Sequence, residues 1–400
     1  MFTIWPHIVF WASVAGISSA YVFYPLVCGW IARSCPRPLS PKNETPLPTL
    51  TVIIVAYNEA GRLPVRISNL LSSDYPKEKL SVLIIDDGST DATAAVFDTI
   101  ADRRVRLLKL PVRKGKPAAL NAGLAACSSE ICVLGDARQT FSPDTIRRLA
   151  EVFSDPGVGA ISGELEIAES ASGTGMGISA YWKRERQLRA DEAKSDSCIG
   201  CTGACYAIRR SEFEPLPEDT LLDDVVIPLR IAARGYRILH DSRALAFDEQ
   251  PQEPELEARR KRRTLAGNFQ MLFRYPAWLL PGGHRLWWRI IVHKYLRITA
   301  PLLLCGAAIG ALALCSSVFY RVSLYLQALC YGIGLFGILS GSRWKVFSYP
   351  AGFLFLNSMV VVAFFDYITG RSTTKWATAK PAGKVAGVKI PDLDTSKHHE

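Results

Sequence analysis

Four groups of charged residues follow one another along this chain: Asp86-Asp87-Gly88, Asp136, Asp223-Asp224 and a basic cluster around Arg263. Carboxylates can hold a divalent cation, accept a hydrogen bond from a nucleobase N–H, or take the proton from a hydroxyl. An arginine can clamp a diphosphate through paired N–H donors. Together these groups suit the breaking of a bond to a phosphate leaving group. They can act together only if the fold brings them to one rim.

The hydrophobic pattern predicts such a rim. Thr49 to Ala56 reads as a buried parallel strand ending at Tyr57-Asn58-Glu59. Arg62 to Ser73 has helical apolar spacing. Leu80 to Ile85 is a second strand with Asp86-Asp87-Gly88-Ser89-Thr90-Asp91 as its turn. Ala92 to Ala101 is helical, Val105 to Leu110 a third strand, Lys116 to Ala126 a helix, and Ile131 to Leu134 a fourth strand ending at Gly135-Asp136. Strands alternating with helices form a parallel sheet whose carboxyl ends carry ligands. Tyr57, Asp87 and Asp136 all fall at such ends. Beyond Ala150 the pattern loosens. It predicts a helix over Tyr181 to Ala193, a loop from Gly200 entering a strand that reaches Ile208, and a helix over Asp224 to Arg234 closed by Gly235. Pro228 falls early in that helix, where N–H groups lack helical partners. Ala258 to Arg274 is a strongly basic amphipathic helix.

Membrane-length apolar stretches flank this α/β segment. The 400 residues combine 49% hydrophobic with 21% charged side chains, which indicates segregation rather than one uniform globule. Residues 1–32 hold no Asp, Glu, Lys or Arg and suffice for a retained transmembrane helix. Arg33 and Arg37 follow and place that end in the cytoplasm. Residues 33–48 form a stiff linker with Pro36, Pro38, Pro41, Pro46 and Pro48. The layout is then a catalytic domain over 49–275, an interfacial helix over 276–297, about three transmembrane helices over 298–368 and a polar tail over 369–400. One span before the domain and three after it put the tail outside, yet Arg371, Lys375 and Lys380 favour the inside. One apolar stretch is therefore expected to be re-entrant or interfacial. The net charge of +10 gathers beside the apolar segments, at Arg259 to Arg263, Arg285, Arg289, Lys294 and Arg297. Each such cation contributes about 1 kcal/mol toward anionic lipid. The bilayer is the expected partner, and nucleic acid is not. Ten scattered cysteines, among them Cys198, Cys201 and Cys205, read as small buried side chains of a reducing compartment rather than a disulfide framework.

The motifs Ala56-Tyr57-Asn58-Glu59, Asp86-Asp87-Gly88-Ser89-Thr90-Asp91, Gly115-Lys116 through Asn121, Asp136-Ala137-Arg138, and Asp223-Asp224 with Arg230 and Gly235 resemble those of membrane-bound glycosyltransferase family 2, in its polysaccharide-synthase-like subgroup. The resemblance covers about Pro48 to Arg297. It implies an α/β fold of the nucleotide-diphospho-sugar transferase type (GT-A), with a parallel-rich sheet and flanking transmembrane helices. It assigns Asp87, with Asp86 and Tyr57 nearby, to the nucleobase, and Glu59 and Lys116 to the donor side. Asp136 becomes the ligand of Mg2+ or Mn2+. Arg138 stands where a second aspartate is usual, a departure that opens the question of metal dependence. Asp224 becomes the catalytic base; Glu218-Asp219 competes with it, but Arg230 and Gly235 keep the family's register from Asp224. Arg263 keeps the leaving-group arginine, while Arg260 and Thr264 replace a glutamine and a tryptophan of processive synthases. Trp182, Glu185, Thr202, Gly203 and Arg260 fall on the acceptor side.

The implied activity is inverting transfer of a sugar from a nucleotide-diphosphate donor, a UDP-sugar, to a membrane-associated glycan or lipid-linked acceptor in exopolysaccharide or glycan biosynthesis. The implied location is a bacterial inner membrane with a cytoplasmic catalytic domain. A non-catalytic membrane scaffold retaining the fold is the alternative. A dinucleotide-dependent oxidoreductase would need G-x-G-x-x-G after the first strand, where Tyr57-Asn58-Glu59-Ala60-Gly61 stands.

Overall fold

The computed structural model describes residues 4–40, 46–167, 173–248 and 254–374. Most of the polar tail, with Lys375 and Lys380, lies outside the described residues. The expected strands form as β1 (Leu50–Ala56), β2 (Leu80–Asp86), β3 (Val105–Lys109) and β4 (Ile131–Asp136), all mutually parallel. Their side chains alternate between two cores, as a period of two requires. Ile53 faces the helices Lys116–Ala125 and Asp223–Ala233, whereas Val52 and Ile54 face Leu63–Leu71 and Thr145–Glu151.

Four further strands extend the sheet: β5 (Thr140–Phe141), β6 (Val158–Ile167), β7 (Cys205–Arg209) and β8 (Arg237–Asp248). The eight-stranded order is β3-β2-β1-β4-β7-β6-β8-β5. β7 is antiparallel to both β4 and β6, so the sheet is mixed rather than wholly parallel. The segment expected to be helical at Ala92 to Ala101 is a 3-10 turn over Ala94–Thr99.

The apolar flanks pack differently from a simple bundle of spans. Among the described residues three helices are long and apolar enough to cross a membrane: Trp5–Ser34, Val318–Ser340 and Lys345–Ile368. The stretch expected to span from Ile298 to Tyr320 holds a 14-residue helix, Ala300–Ala313, which is long enough to cross only together with Trp287–Ile298, from which it is bent by 67°. Ala300–Ala313 lies against the start of the first helix, with Gly310 at Phe10 and Gly306 at Ser13. Phe10 and Trp11 also meet Phe319.

The last helix touches the α/β domain at both of its ends. Gly177 abuts Ser348 and Gly352 near its start. Near its finish Phe364 meets Phe269, Tyr367 stacks on Phe273, and Asp366 accepts two hydrogen bonds of 2.7 Å from Arg262. Thr374, just beyond that helix, rests on the loop at Gly115, where an added Cβ would lie 2.8 Å from its Oγ1.

Candidate active site

The rim is assembled loop against loop. Asn58, at the end of β1, has a positive φ of 55°, which asparagine tolerates better than most residues. Its N–H donates to Ser89 Oγ at 2.9 Å, and its Oδ1 accepts the Thr90 N–H at 2.9 Å. Gly88 adopts a φ of 68°, and any Cβ there would come within 2.6 Å of the Arg113 nitrogen. The glycine lets the Asp86-Asp87 turn close onto residues 113–115. Asp87 then accepts the backbone N–H groups of Lys114 and Gly115, each at 2.8 Å. Asp86 accepts the Ser89 N–H, and its Oδ2 has no hydrogen-bond partner among the described residues. The Tyr57 ring lies under the Arg113 guanidinium, 3.7 Å from the ring centroid. Arg113 is absent from the sequence-derived set, although its place before Gly115-Lys116 was a usable signal. Glu59 sits beside this cluster, paired with Arg62 at 2.8 Å.

Lys116 is the hub of the acidic groups. Its buried ammonium donates to Asp136 Oδ1 at 3.0 Å and lies 3.3 Å from Asp223 Oδ2. Burial opposes its charge, but Asp136, Asp223 and Asp224 outweigh burial and raise its pKa. Burial likewise pushes Asp136 up, and Lys116, Arg138 and Arg263 reverse that, leaving it below the usual carboxylate range. Arg138 Nη2 stands 4.0 Å from Asp136, and its Nε bonds Asp248 at 2.8 Å. Asp248 is a further charged group that the sequence reading lacks, and Asp223, read there only as part of the Asp223-Asp224 motif, joins the cluster through Lys116.

Among the described residues no three His, Cys, Asp or Glu side chains converge as a cation cage. Asp136 is one hard oxygen donor flanked by Lys116 and Arg138. It fits Mg2+ or Mn2+ only when diphosphate oxygens and water complete the shell.

Asp224 is presented by an irregularity in its helix. The helix begins at Asp223, so Pro228 lies inside it rather than in the unpartnered first turn. Proline has no N–H, which removes the i→i−4 bond to the Asp224 carbonyl. Cys201 supplies the missing donor, with its N–H 2.8 Å from that oxygen. This bond draws the Gly200–Ala204 loop over Asp224. Gly203 is the close-approach point, since an added Cβ would sit 2.8 Å from Asp224 Oδ2. Burial, then the neighbouring Asp223, pushes the Asp224 carboxyl up to about 6, against Lys116, Lys294 and Arg263. Tyr206 is fully buried, with a hydroxyl that has no hydrogen-bond partner among the described residues.

The basic helix spans Pro254–Arg274. Arg263 lies close enough to Asp136 and Asp224 to favour the ionised form of each. Arg262 points to Asp366 instead. Arg260 is half-buried on the same helix, and its carbonyl accepts the Thr264 hydroxyl.

The expected acceptor residues divide. Thr202 and Gly203 adjoin Asp224, and Thr202 Oγ1 accepts from Arg189 Nη1 at 2.8 Å. Trp182 is 44% exposed and free to meet lipid or ligand. Glu185 is engaged within the protein. It is buried, 2.8 Å from His293 and 2.6 Å from Arg297. Burial raises its proton affinity, but His293 and Arg297 together hold its carboxyl well below the usual range. With both oxygens engaged, Glu185 fastens the Gly173–Ser195 helix to the membrane-proximal helix. Glu192 does the same through His293 Nδ1 at 2.7 Å. The three cysteines Cys198, Cys201 and Cys205 are buried, and Cys198 donates to the Gly200 and Leu239 carbonyls.

Comparison with known proteins supplies family context. Residues 51–216 match the model of glycosyl transferase family 2. An N-acetylglucosaminyltransferase of Mesorhizobium japonicum is 33% identical over 50% of this chain and 47% of its own length. One from Rhizobium leguminosarum bv. viciae is 27% identical over 76% of this chain and 69% of its own. The chain thus spans about half the length of the Mesorhizobium protein. Among solved structures, a mannosyltransferase of Pyrobaculum calidifontis in complex with GDP-Man and Mn2+ superposes with a TM-score of 0.68. That match is 22% identical and covers 91% of this chain and 99% of the other, and it shows a shared fold.

Proposed function

From a chain that carries a glycosyltransferase family 2 domain over residues 51–216, we propose an inverting transferase working at a membrane surface. It moves a sugar from a nucleotide-diphosphate donor, a UDP-sugar, to a hydroxyl of a membrane-associated glycan or lipid-linked acceptor. The observation that carries this is the single acidic cluster joined by Lys116, with Asp136 on one side and Asp223-Asp224 on the other.

Each residue then has a role. Asp87 and the stacked Tyr57–Arg113 pair receive the nucleobase. Lys116 and Arg263 face the diphosphate. Asp224 takes the proton as the acceptor oxygen attacks the anomeric carbon. The bond from that carbon to the diphosphate oxygen breaks on the opposite face, so the configuration inverts. A carboxyl near 6 is ionised at neutral pH yet basic enough to serve. Asp136 would hold a divalent cation, which when bound neutralises diphosphate charge.

The relatives named N-acetylglucosaminyltransferase support an N-acetylhexosamine nucleotide as the first donor to try. Purified protein in detergent is expected to release UDP from one member of a radiolabelled UDP-sugar panel. EDTA should stop that release, and Mg2+ or Mn2+ should restore it. UDP binding without turnover on every donor would favour the scaffold alternative, and EDTA-insensitive turnover would remove the cation.

The packing also suggests how the chain sits in the bilayer. The first helix, the bent pair ending at Ala313, and Val318–Ser340 each cross once. Lys345–Ile368, held to the domain at both ends, lies along the surface. That layout returns the basic tail to the domain's side, as its charge favours. A green fluorescent protein fused after residue 400 should fluoresce, while an alkaline phosphatase fusion should be silent. An active phosphatase fusion would refute the layout.

A further inference from the structure

A buried polar pair lies next to the transfer site and is used by none of the steps above. β6 and β8 run in register at Ser162 and His240, then shift between Ser162 and Glu164. Ser162 and Glu164 are two residues apart and so share one face of the sheet. Ser162 Oγ accepts the Thr202 N–H at 2.9 Å, which identifies that face as the one covered by the loop over Asp224. Glu164 Oε2 stands 3.3 Å from His240 Nε2, and these side chains are only 7% and 1% exposed. Neither that oxygen nor either His240 ring nitrogen has a hydrogen-bond partner among the described residues. Buried groups left this way carry a desolvation penalty that a hydrogen-bonding ligand can remove.

We propose that Glu164 and His240 form a subsite for the sugar ring of the acceptor. This rests on the transferase function proposed above and names where the acceptor's hydroxyls are held. A carboxylate accepts from a hydroxyl, and an imidazole can donate to or accept from its neighbour on the same ring. The local charge argues for a neutral polyol. Arg186 Nε lies 4.0 Å from Glu164 Oε1, and Arg189 acts electrostatically on the same carboxylate. Glu164 is therefore already balanced, which disfavours an amine or a metal ion. Arg186, 42% exposed, is the group that a ligand would displace to reach Glu164. Arg189 also bonds Thr202, the neighbour of Gly203, so the subsite and the base flank one loop.

The test uses full-length protein in a sugar-free detergent, with UDP-N-acetylglucosamine as donor and decyl β-glycosides of glucose and N-acetylglucosamine as acceptors. Glu164→Gln and His240→Gln are expected to raise the acceptor KM at least tenfold, with kcat changed less than twofold. UDP affinity and acceptor-free donor hydrolysis should match wild type. Should one variant fail to bind UDP, the other carries the same comparison. An acceptor KM within twofold of wild type overturns the subsite, as does donor hydrolysis falling in step with transfer. Wild-type protein that releases UDP yet neither uses nor binds these glycosides overturns the sugar-ring assignment. Wild-type protein that turns over no sugar nucleotide counts first against the transferase function itself.

Discussion

Asp224→Asn is expected to lower sugar transfer by about 10²–10⁴-fold, the usual contribution of a positioned general base. Because the asparagine keeps the shape and leaves Lys116 and Asp87 in place, UDP should still bind, as calorimetry can check. The pH profile should change with it. In the native protein burial and Asp223 raise this carboxyl to about 6, and the ionised form is the active one. Transfer should therefore rise with pH through about 6 and level off above it. In the variant that limb should vanish. Retained turnover in Asp224→Asn, or an unaltered acid limb, would remove Asp224 from the role. Gly203→Ala attacks the same group differently. Its Cβ would sit 2.8 Å from Asp224 Oδ2, closer than real Cβ contacts allow. The carboxylate must move, and a displacement near 1 Å can cost on the order of 10²-fold in rate.

Lys116→Met should damage stability as well as catalysis. The ammonium is buried between Asp136 and Asp223, and removing it leaves two carboxylates without their shared cation. Breaking a buried pair in this way typically costs about 3–5 kcal/mol. Adding Asp136→Asn to the variant should restore part of the loss, because it deletes one of the stranded charges. Acidification should narrow the deficit too. Carboxylates without a cation have raised pKa values in the folded state, so the fold binds more protons than the unfolded chain and gains relative stability as pH falls. Thermal midpoints of the three proteins across pH 5 to 8 would decide this. An unchanged midpoint for Lys116→Met would show that the lysine is not the electrostatic centre of the site.

Much of this site is legible in the sequence, for a definable reason. Strands β1, β2 and β4 are buried on both faces, so each reads as an apolar run that stops at a polar turn. The residues at those stops, Tyr57, Asp87 and Asp136, announce the rim. Strand β6 gives no such signal. Its sequence includes Gly159, Ser162, Gly163, Glu164 and Glu166, and Gly163 is needed because a Cβ would lie 2.7 Å from Cys205 Sγ. In β8 the apolar pattern is broken by His240 to Arg243, where the register shifts. The resemblance puts Glu185 on the acceptor side, whereas its partners His293 and Arg297 are more than a hundred residues away and leave no local trace in the sequence. Pro228 was visible, but its effect on the Asp224 carbonyl depends on which residue begins the helix.

The bonds from Arg262 to Asp366 join residues 104 positions apart in the chain. A polypeptide still being synthesised cannot make them, so until translation has passed Asp366 the helix bearing Arg263 rests on its bonds between Gln270 and the backbone of Leu221 and Asp219. Shortened versions ending before residue 345 would lack the tie to Asp366, however well residues 51–216 fold.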